Sequence, residues 1–202
     1  ALGAPVEFMS HAEIVARFGP TAITDMTTAF DRRGAITDDT QMSLFTAEGL
    51  LRGYVQSAIH GRAGFATAVA GAYLRWLKTQ GTLSPLLPET GPRGWLLEQE
   101  ELHQSRIPGH TCLEALAAMP MIGARARNDS KGCGGVTRIA PVGLFCARDP
   151  AASLERVSRR AFDLGCELAA LTHGHPTGQL TAGAFAAIVA QLARGEALAN
   201  GI

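Results

Sequence analysis

Apolar residues recur along much of the chain at intervals of three and four, the spacing that puts them on one face of an α-helix. Leu44, Ala47, Leu51 and Tyr54 make one such stripe, and Leu154, Val157, Ala161, Leu164, Leu168 and Leu171 make a longer one. A third stripe, Leu180, Ala184, Ile188 and Leu192, follows Pro176, a residue tolerated in a first helical turn and disruptive in a helix interior. Arg62 to Gln80 reads as another helix, with Ala and Gly on one side and Phe65, Val69, Tyr73 and Trp76 on the other. Its small-residue side allows a neighbouring axis to come close. No segment alternates convincingly with a period of two, so the pattern requires no sheet. Thr82 to Gly94, with Pro85, Pro88 and Pro92, reads as a loop, and Arg106-Ile107-Pro108-Gly109 as a turn before a helix from Cys112 to Met119. With no internal repeat and no low-complexity linker, the expected architecture is a single all-α domain over residues 1–202, built of several packed helices.

Composition narrows the class of protein. The 202 residues are 47% hydrophobic and 18% charged, ordinary proportions for a globular chain and unlike those of a disordered one. Lys plus Arg and Asp plus Glu both total 18, so no net field favours nucleic acid or an anionic membrane. The cysteines, Cys112, Cys133, Cys146 and Cys166, show no CxxC spacing and lie in apolar or Gly-rich runs, as reduced thiols do. No apolar run approaches a membrane span, and no basic segment leads into a hydrophobic signal core. These features predict a soluble, cytoplasmic protein. The start at Ala1-Leu2-Gly3 without a Met, and the stop at Asn200-Gly201-Ile202 after a helical segment, give the expectation of a chain cut at both ends.

Candidate chemistry concentrates in a few segments. Ile36-Thr37-Asp38-Asp39-Thr40-Gln41 sets two adjacent carboxylates between hydroxyls at the start of a helical run, and hard cations such as magnesium take oxygen ligands of this kind. The competing use is structural, because Asp38 followed by Gln41 also has the spacing of a capping box. Asn128 to Arg138 contains Gly132-Cys133-Gly134-Gly135, whose glycines can adopt positive φ and expose successive amides, an anion nest or else a plain Gly-rich turn. The Lys precedes the glycines and no strand leads in, which excludes a Walker loop. Thr172-His173-Gly174-His175-Pro176 places two histidines on a turn without the i, i+4 spacing of a zinc pair, so at least one is expected to hydrogen-bond locally. Glu7 is a lone acid among small and apolar residues, either solvated or held near a cation.

Taken together and in order, Ala1 to Phe8, Ile36 to Met42, Asn128 to Arg138 and Thr172 to Pro176 resemble the ADP-ribosylglycohydrolase family. Arg106 to Leu113, and Trp76 within its helix, also look like bacterial members. The resemblance spans essentially the whole chain. It implies a compact multi-helix domain that uses two magnesium or manganese ions to cleave ADP-ribose from a modified side chain. It further implies Thr37, Asp38 and Asp39 as metal ligands, with Asp38 and Asp39 catalytic through the metal, and Glu7 as an acid near the metals and the scissile ribose. Gly132, Cys133, Gly134 and Gly135 match the loop around the diphosphate, and His173 matches a histidine beside bound ADP-ribose.

Two departures stand out. The Gly-Asp that precedes the position of Ala1 in the family pattern is absent, and no late Asp-x-Asp-Thr-like segment follows His175, where Glu196 is the sole acid. The expected substrate is an ADP-ribosylated protein, modified first at arginine, with ADP-ribosyl-serine or O-acetyl-ADP-ribose as alternatives. Beside an ADP-ribosyltransferase toxin such an enzyme would act as the immunity partner. The rival from another class is a non-catalytic protein that binds ADP-ribose or blocks a transferase. Neither nucleic acid nor membrane is an expected partner.

Overall fold

The computed structural model describes residues 1–61, 64–87 and 94–200. In chain order its helices are α1 (His11–Phe18), α2 (Asp38–His60), α3 (Phe65–Thr79), α4 (His110–Ala117), α5 (Ala140–Ala147), α6 (Leu154–Ala169) and α7 (Pro176–Ala193). A two-residue hairpin, β1 (Thr28–Ala29) against β2 (Arg32–Arg33), is antiparallel and is the only sheet among the described residues. The architecture is all-α, as the sequence pattern requires. The expected helix start at Arg62, and Pro88 and Pro92 of the expected loop, lie outside the described residues. No helix among the described residues is long and apolar enough to cross a membrane.

α3 is the centre of the packing. Val69, Ala70, Tyr73, Leu74, Trp76 and Leu77 are all fully buried on it, so the helix is enclosed nearly all round rather than on the aromatic side alone. Each large apolar side chain buried there stabilises the fold by about 1.5–3 kcal/mol before the entropy cost of ordering it. α2 packs on α3 through glycine: a Cβ at Gly49 would stand 2.5 Å from the Val69 Cα, and one at Gly53 would stand 2.9 Å from the Phe65 ring. This contact reverses the expected orientation of α2. Leu44, Leu51 and Tyr54 are 40%, 50% and 49% exposed, while Met42, Phe45, Gly49 and Leu50 face inward.

The buried face of α2 also carries polar residues, each hydrogen-bonded. The Thr46 hydroxyl lies 2.7 Å from the Tyr73 hydroxyl, and Gln41 Oε1 accepts from Trp76 Nε1 at 3.2 Å. Glu48 is fully buried, and its Oε2 accepts from Arg75 Nη2 at 2.9 Å while its Oε1 accepts from Arg52 Nε at 3.1 Å. Leaving any of these groups unpaired would cost about 1–3 kcal/mol, which ties α2 to one register on α3.

α5, α6 and α7 form the second layer. The predicted stripe of α6 is buried from its second member on: Leu154 is half-buried, Val157, Ala161, Leu164 and Leu168 are buried, and so is Leu171 just past the helix end. That of α7 is not, because Gly178, Ala182, Gly183, Ala186 and Ala190 form the inner face and Leu180 and Leu192 lie exposed. Small residues set this spacing. A Cβ at Gly165 of α6 would stand 3.0 Å from the Ala182 carbonyl, and one at Gly143 of α5 would stand 2.5 Å from the Ala186 carbonyl. The close α6–α7 approach fixes the turn between them, Ala170 to His175, at one end of the layer.

Candidate active site

α2 begins with Thr37 as its N-cap, and the Thr37 side chain makes no capping bond. The capping-box use of Asp38 and Gln41 is not made either. Gln41 is buried, donating from Nε2 to the Gln104 carbonyl at 3.0 Å. Asp38 instead meets the segment before α4: its Oδ2 accepts from the Gly109 N–H at 3.2 Å, and its own N–H donates to the Arg106 carbonyl at 3.2 Å. Arg106 is itself fixed, its guanidinium lying 4.7 Å from the centre of the Phe30 ring.

Partial burial, then the Asp39 charge, lift the Asp38 carboxyl to about 6, with a further push from Glu7 and against the hydrogen bond from Gly109. Glu7 is raised as well, by desolvation and by Asp39. Glu7 is exposed, and its charge and that of Asp39 reach Asp38 from two segments distant from one another in sequence. Among the described residues none of the three is paired with Lys, Arg or His. Nor does any group of three or more His, Cys, Asp or Glu side chains converge there as a metal-holding cluster. The donor set is nevertheless all oxygen, with the half-buried Asp38 and Asp39 beside the buried Thr37, and its repulsion has no cationic side chain to relieve it. In chemistry this set fits a hard divalent cation.

The glycine loop lies on the other flank of the α4 start. Thr111 Oγ1 is 3.1 Å from Ser130 Oγ, and a Cβ at Gly134 would stand 3.2 Å from Cys112 Sγ. Ser43, one turn beyond Asp39, reaches the Thr137 carbonyl at 3.4 Å. Asp38 and the loop thus share the Gly109–Cys112 turn as a common neighbour.

The loop itself differs from the expectation that its glycines adopt positive φ. Gly132 has φ −60°, Cys133–Gly135 forms one 3-10 turn, and the positive-φ glycines of the chain lie elsewhere. The space beside these glycines is tight: a Cβ at Gly132 would stand 3.3 Å from Ser130 Oγ and 3.4 Å from His173 Nε2, one at Gly134 3.2 Å from Cys112 Sγ and 3.4 Å from His173 Cε1, and one at Gly135 3.2 Å from the Ala169 Cβ. The Gly132 N–H is satisfied by Ser130 Oγ at 3.2 Å. Cys133 and Gly134 open the turn, where a helix start leaves N–H groups without internal carbonyls.

Asn128 clamps this loop to the histidine turn. Its Nδ2 donates to the Thr172 carbonyl at 2.9 Å, and its Oδ1 accepts from Gly174 N–H at 2.9 Å and from Ser130 N–H at 3.2 Å. A side chain at Gly174 would collide with the Asn128 backbone carbonyl. His173 is buried, and burial together with the Arg138 charge pushes its imidazole down to about 4. Both histidines hydrogen-bond locally, within the expectation for at least one: His173 Nδ1 lies 2.8 Å from the Thr172 hydroxyl, and His175 caps α7, its Nδ1 accepting from Thr177 N–H at 3.0 Å.

Sequence reasoning quoted Asn128, Arg138 and Thr172 within motifs without assigning them work. The Asn-x-Ser spacing of an Asx turn would have singled out Asn128. Nothing in the chain order announces that Arg138 is buried against residues far away in sequence. All four cysteines are free, as expected.

A family model described as ADP-ribosylglycohydrolase matches residues 1–201. The chain belongs to the ADP-ribosylglycohydrolase family, a family of hydrolases acting on ADP-ribose conjugates that generally use divalent metals. No curated protein and no solved structure matched the chain.

Proposed function

We propose that this chain is a magnesium-dependent hydrolase that removes ADP-ribose from modified protein side chains, with ADP-ribosyl-arginine as its first substrate. The observation that carries the proposal is that Asp38, beside Asp39 and with no cationic partner among the described residues, meets the same α4 turn as the glycine loop. Thr37, Asp38 and Asp39 would hold the cation. A bound divalent ion supplies Lewis-acid polarisation of ribose hydroxyls and a more acidic water. Glu7, with its proton affinity raised, carries a proton to or from the reacting groups. The negative charge of Glu7, Asp38 and Asp39 favours a transition state with positive charge spread over the ribose ring carbon and oxygen. The amide edge of Cys133 and Gly134 receives the diphosphate, and His173 borders it.

The test is release of free ADP-ribose from an arginine-modified protein, measured by chromatography with magnesium present. Release is expected, with loss on adding EDTA and a fall of about a thousandfold or more in the Asp38→Asn/Asp39→Asn double variant. Unchanged turnover by that variant would remove the metal role. Preference for ADP-ribosyl-serine or O-acetyl-ADP-ribose would change the substrate, and tight metal-independent binding without release would favour the non-catalytic reading. Paired with a transferase toxin, the proposed activity reverses the toxin's mark and makes the chain its immunity partner.

A further inference from the structure

Arg138 is fully buried, and among the described residues no carboxylate meets it. Its Nη2 donates to Thr172 Oγ1 at 2.5 Å, its Nη1 lies 3.3 Å from Cys112 Sγ and 3.5 Å from Met42 Sδ, and its guanidinium carbon sits 4.5 Å from the centre of the Tyr73 ring. Its Nε finds no partner among the described residues. An isolated buried charge is costly, by several kcal/mol even after relaxation. Contact with an aromatic face and two sulfurs offsets part of that, and the arrangement calls for a function.

Thr172 stands between Arg138 and His173. Arginine has only donors, so Arg138 occupies a lone pair of Thr172 Oγ1 and leaves the hydroxyl with one proton to give. Two acceptors are in reach: the Ala169 carbonyl at 3.5 Å and His173 Nδ1 at 2.8 Å. The first is beyond a normal O–H···O length and the second is at the optimum. Giving that proton to His173 Nδ1 makes the better bond and places the ring proton on Nε2; the reverse arrangement, with Nδ1–H donating to the second lone pair of Thr172 Oγ1, leaves the hydroxyl proton only the long contact to Ala169. His173 Nε2 has no hydrogen-bond partner among the described residues, and it is the ring atom nearest to where Gly132 would carry a Cβ, at 3.4 Å.

We propose that Arg138 and Thr172 form a positioning relay that fixes His173 in the Nε2–H tautomer, giving the glycine loop one side-chain donor for a bound anionic group. The proposal rests on reading the loop as a diphosphate cradle. Arg138 also acts through its charge, disfavouring a second proton on the ring, so the imidazole stays neutral at physiological pH. In this arrangement Arg138 touches no ligand and works entirely through its neighbours.

The test uses the whole chain with 15N-labelled histidine, free of metal and ligand, and reads the His173 ring nitrogens by long-range 1H–15N NMR at about neutral pH, near the ordinary histidine range. A pyridine-like Nδ1 and a pyrrole-like Nε2 are expected. Thr172→Val keeps the shape and removes the hydroxyl, and it should shift the ring toward the Nδ1–H form; Thr172→Ser should restore Nε2–H. Arg138→Lys, with donors but no fork, should give a mixture, and if it does not fold the Thr172 pair still decides. ADP-ribose affinity measured by calorimetry should fall about tenfold in Thr172→Val and recover in Thr172→Ser. A wild-type ring protonated on Nδ1, or a tautomer indifferent to Thr172→Val, overturns the relay even if ADP-ribose binds. The expected tautomer in a protein that binds no ADP-ribose overturns the cradle reading and the donor's role, while the relay stands.

Discussion

At the start of α1, Glu13 folds back on Ser10: its Oε2 accepts from the Ser10 hydroxyl and the Ser10 N–H, both at 2.7 Å, while the Glu13 N–H donates to Ser10 Oγ at 3.4 Å. These bonds hold the Glu13 carboxyl below its usual range. At the start of α2, Asp38 and Asp39 occupy the same electrostatic setting, a first turn whose dipole favours negative charge, yet neither closes a capping box. Asp38 is raised to about 6. A helix start that consumes its acids for capping is a structural device. One that keeps its acids close together, half-buried and without cationic partners maintains a repulsion that contributes nothing to the fold, and such repulsion marks a place where something positive is meant to bind.

That contrast can be broken most severely with magnesium itself. At a concentration about a hundred times its dissociation constant, magnesium should stabilise the wild-type fold by about 2.7 kcal/mol, read as a rise in the thermal midpoint. The gain should vanish in Asp38→Asn/Asp39→Asn and persist in Ser10→Ala. Equal stabilisation of all three proteins would mean that the α2 acids hold no ion.

A smaller effect follows from protons. A carboxyl whose folded value is raised binds more protons in the folded state than in the unfolded one between its ordinary value near 4 and about 6, so stability falls as pH rises through that window. Without metal, Asp38→Asn should flatten this slope and gain roughly 1–2 kcal/mol at neutral pH, as read by urea denaturation. A loss of stability at neutral pH would show that Asp38 is paired after all. The smallest expected change is at α1, where Ser10→Ala should cost about 1 kcal/mol and leave turnover of ADP-ribose conjugates intact. If it impaired turnover as strongly as the α2 variants, the two helix starts would not differ in kind.

The sequence made the helices readable and misled on which faces they bury. α6 buries the large residues of its apolar stripe as well as Gly165, whereas α2 and α7 meet their neighbours through Gly49, Gly53, Gly178 and Gly183, leaving Leu44, Leu51, Leu180 and Leu192 outside. Hydrophobic periodicity registers large residues and passes over the small ones that set interaxial distance. The candidate site was readable as segments. Asp38, Asp39 and Gly132 to Gly135 stood out as motifs and His173 through the family resemblance, but the positive φ expected of the glycines is not used: the tightest space beside them faces Ser130, Cys112 and Ala169. The Arg138–Thr172–His173 chain was invisible because it joins residues 34 positions apart by a single hydroxyl.

The tight seam between α6 and α7 has a mechanical consequence. The histidine turn joins the ends of these two helices, so the separation of their axes bears directly on where that turn sits. A methyl added at Gly165 would meet the Ala182 carbonyl, the Ala186 Cβ and the Gly183 Cα, each at 3.0 Å, so the two helices would have to part there by a few tenths of an ångström.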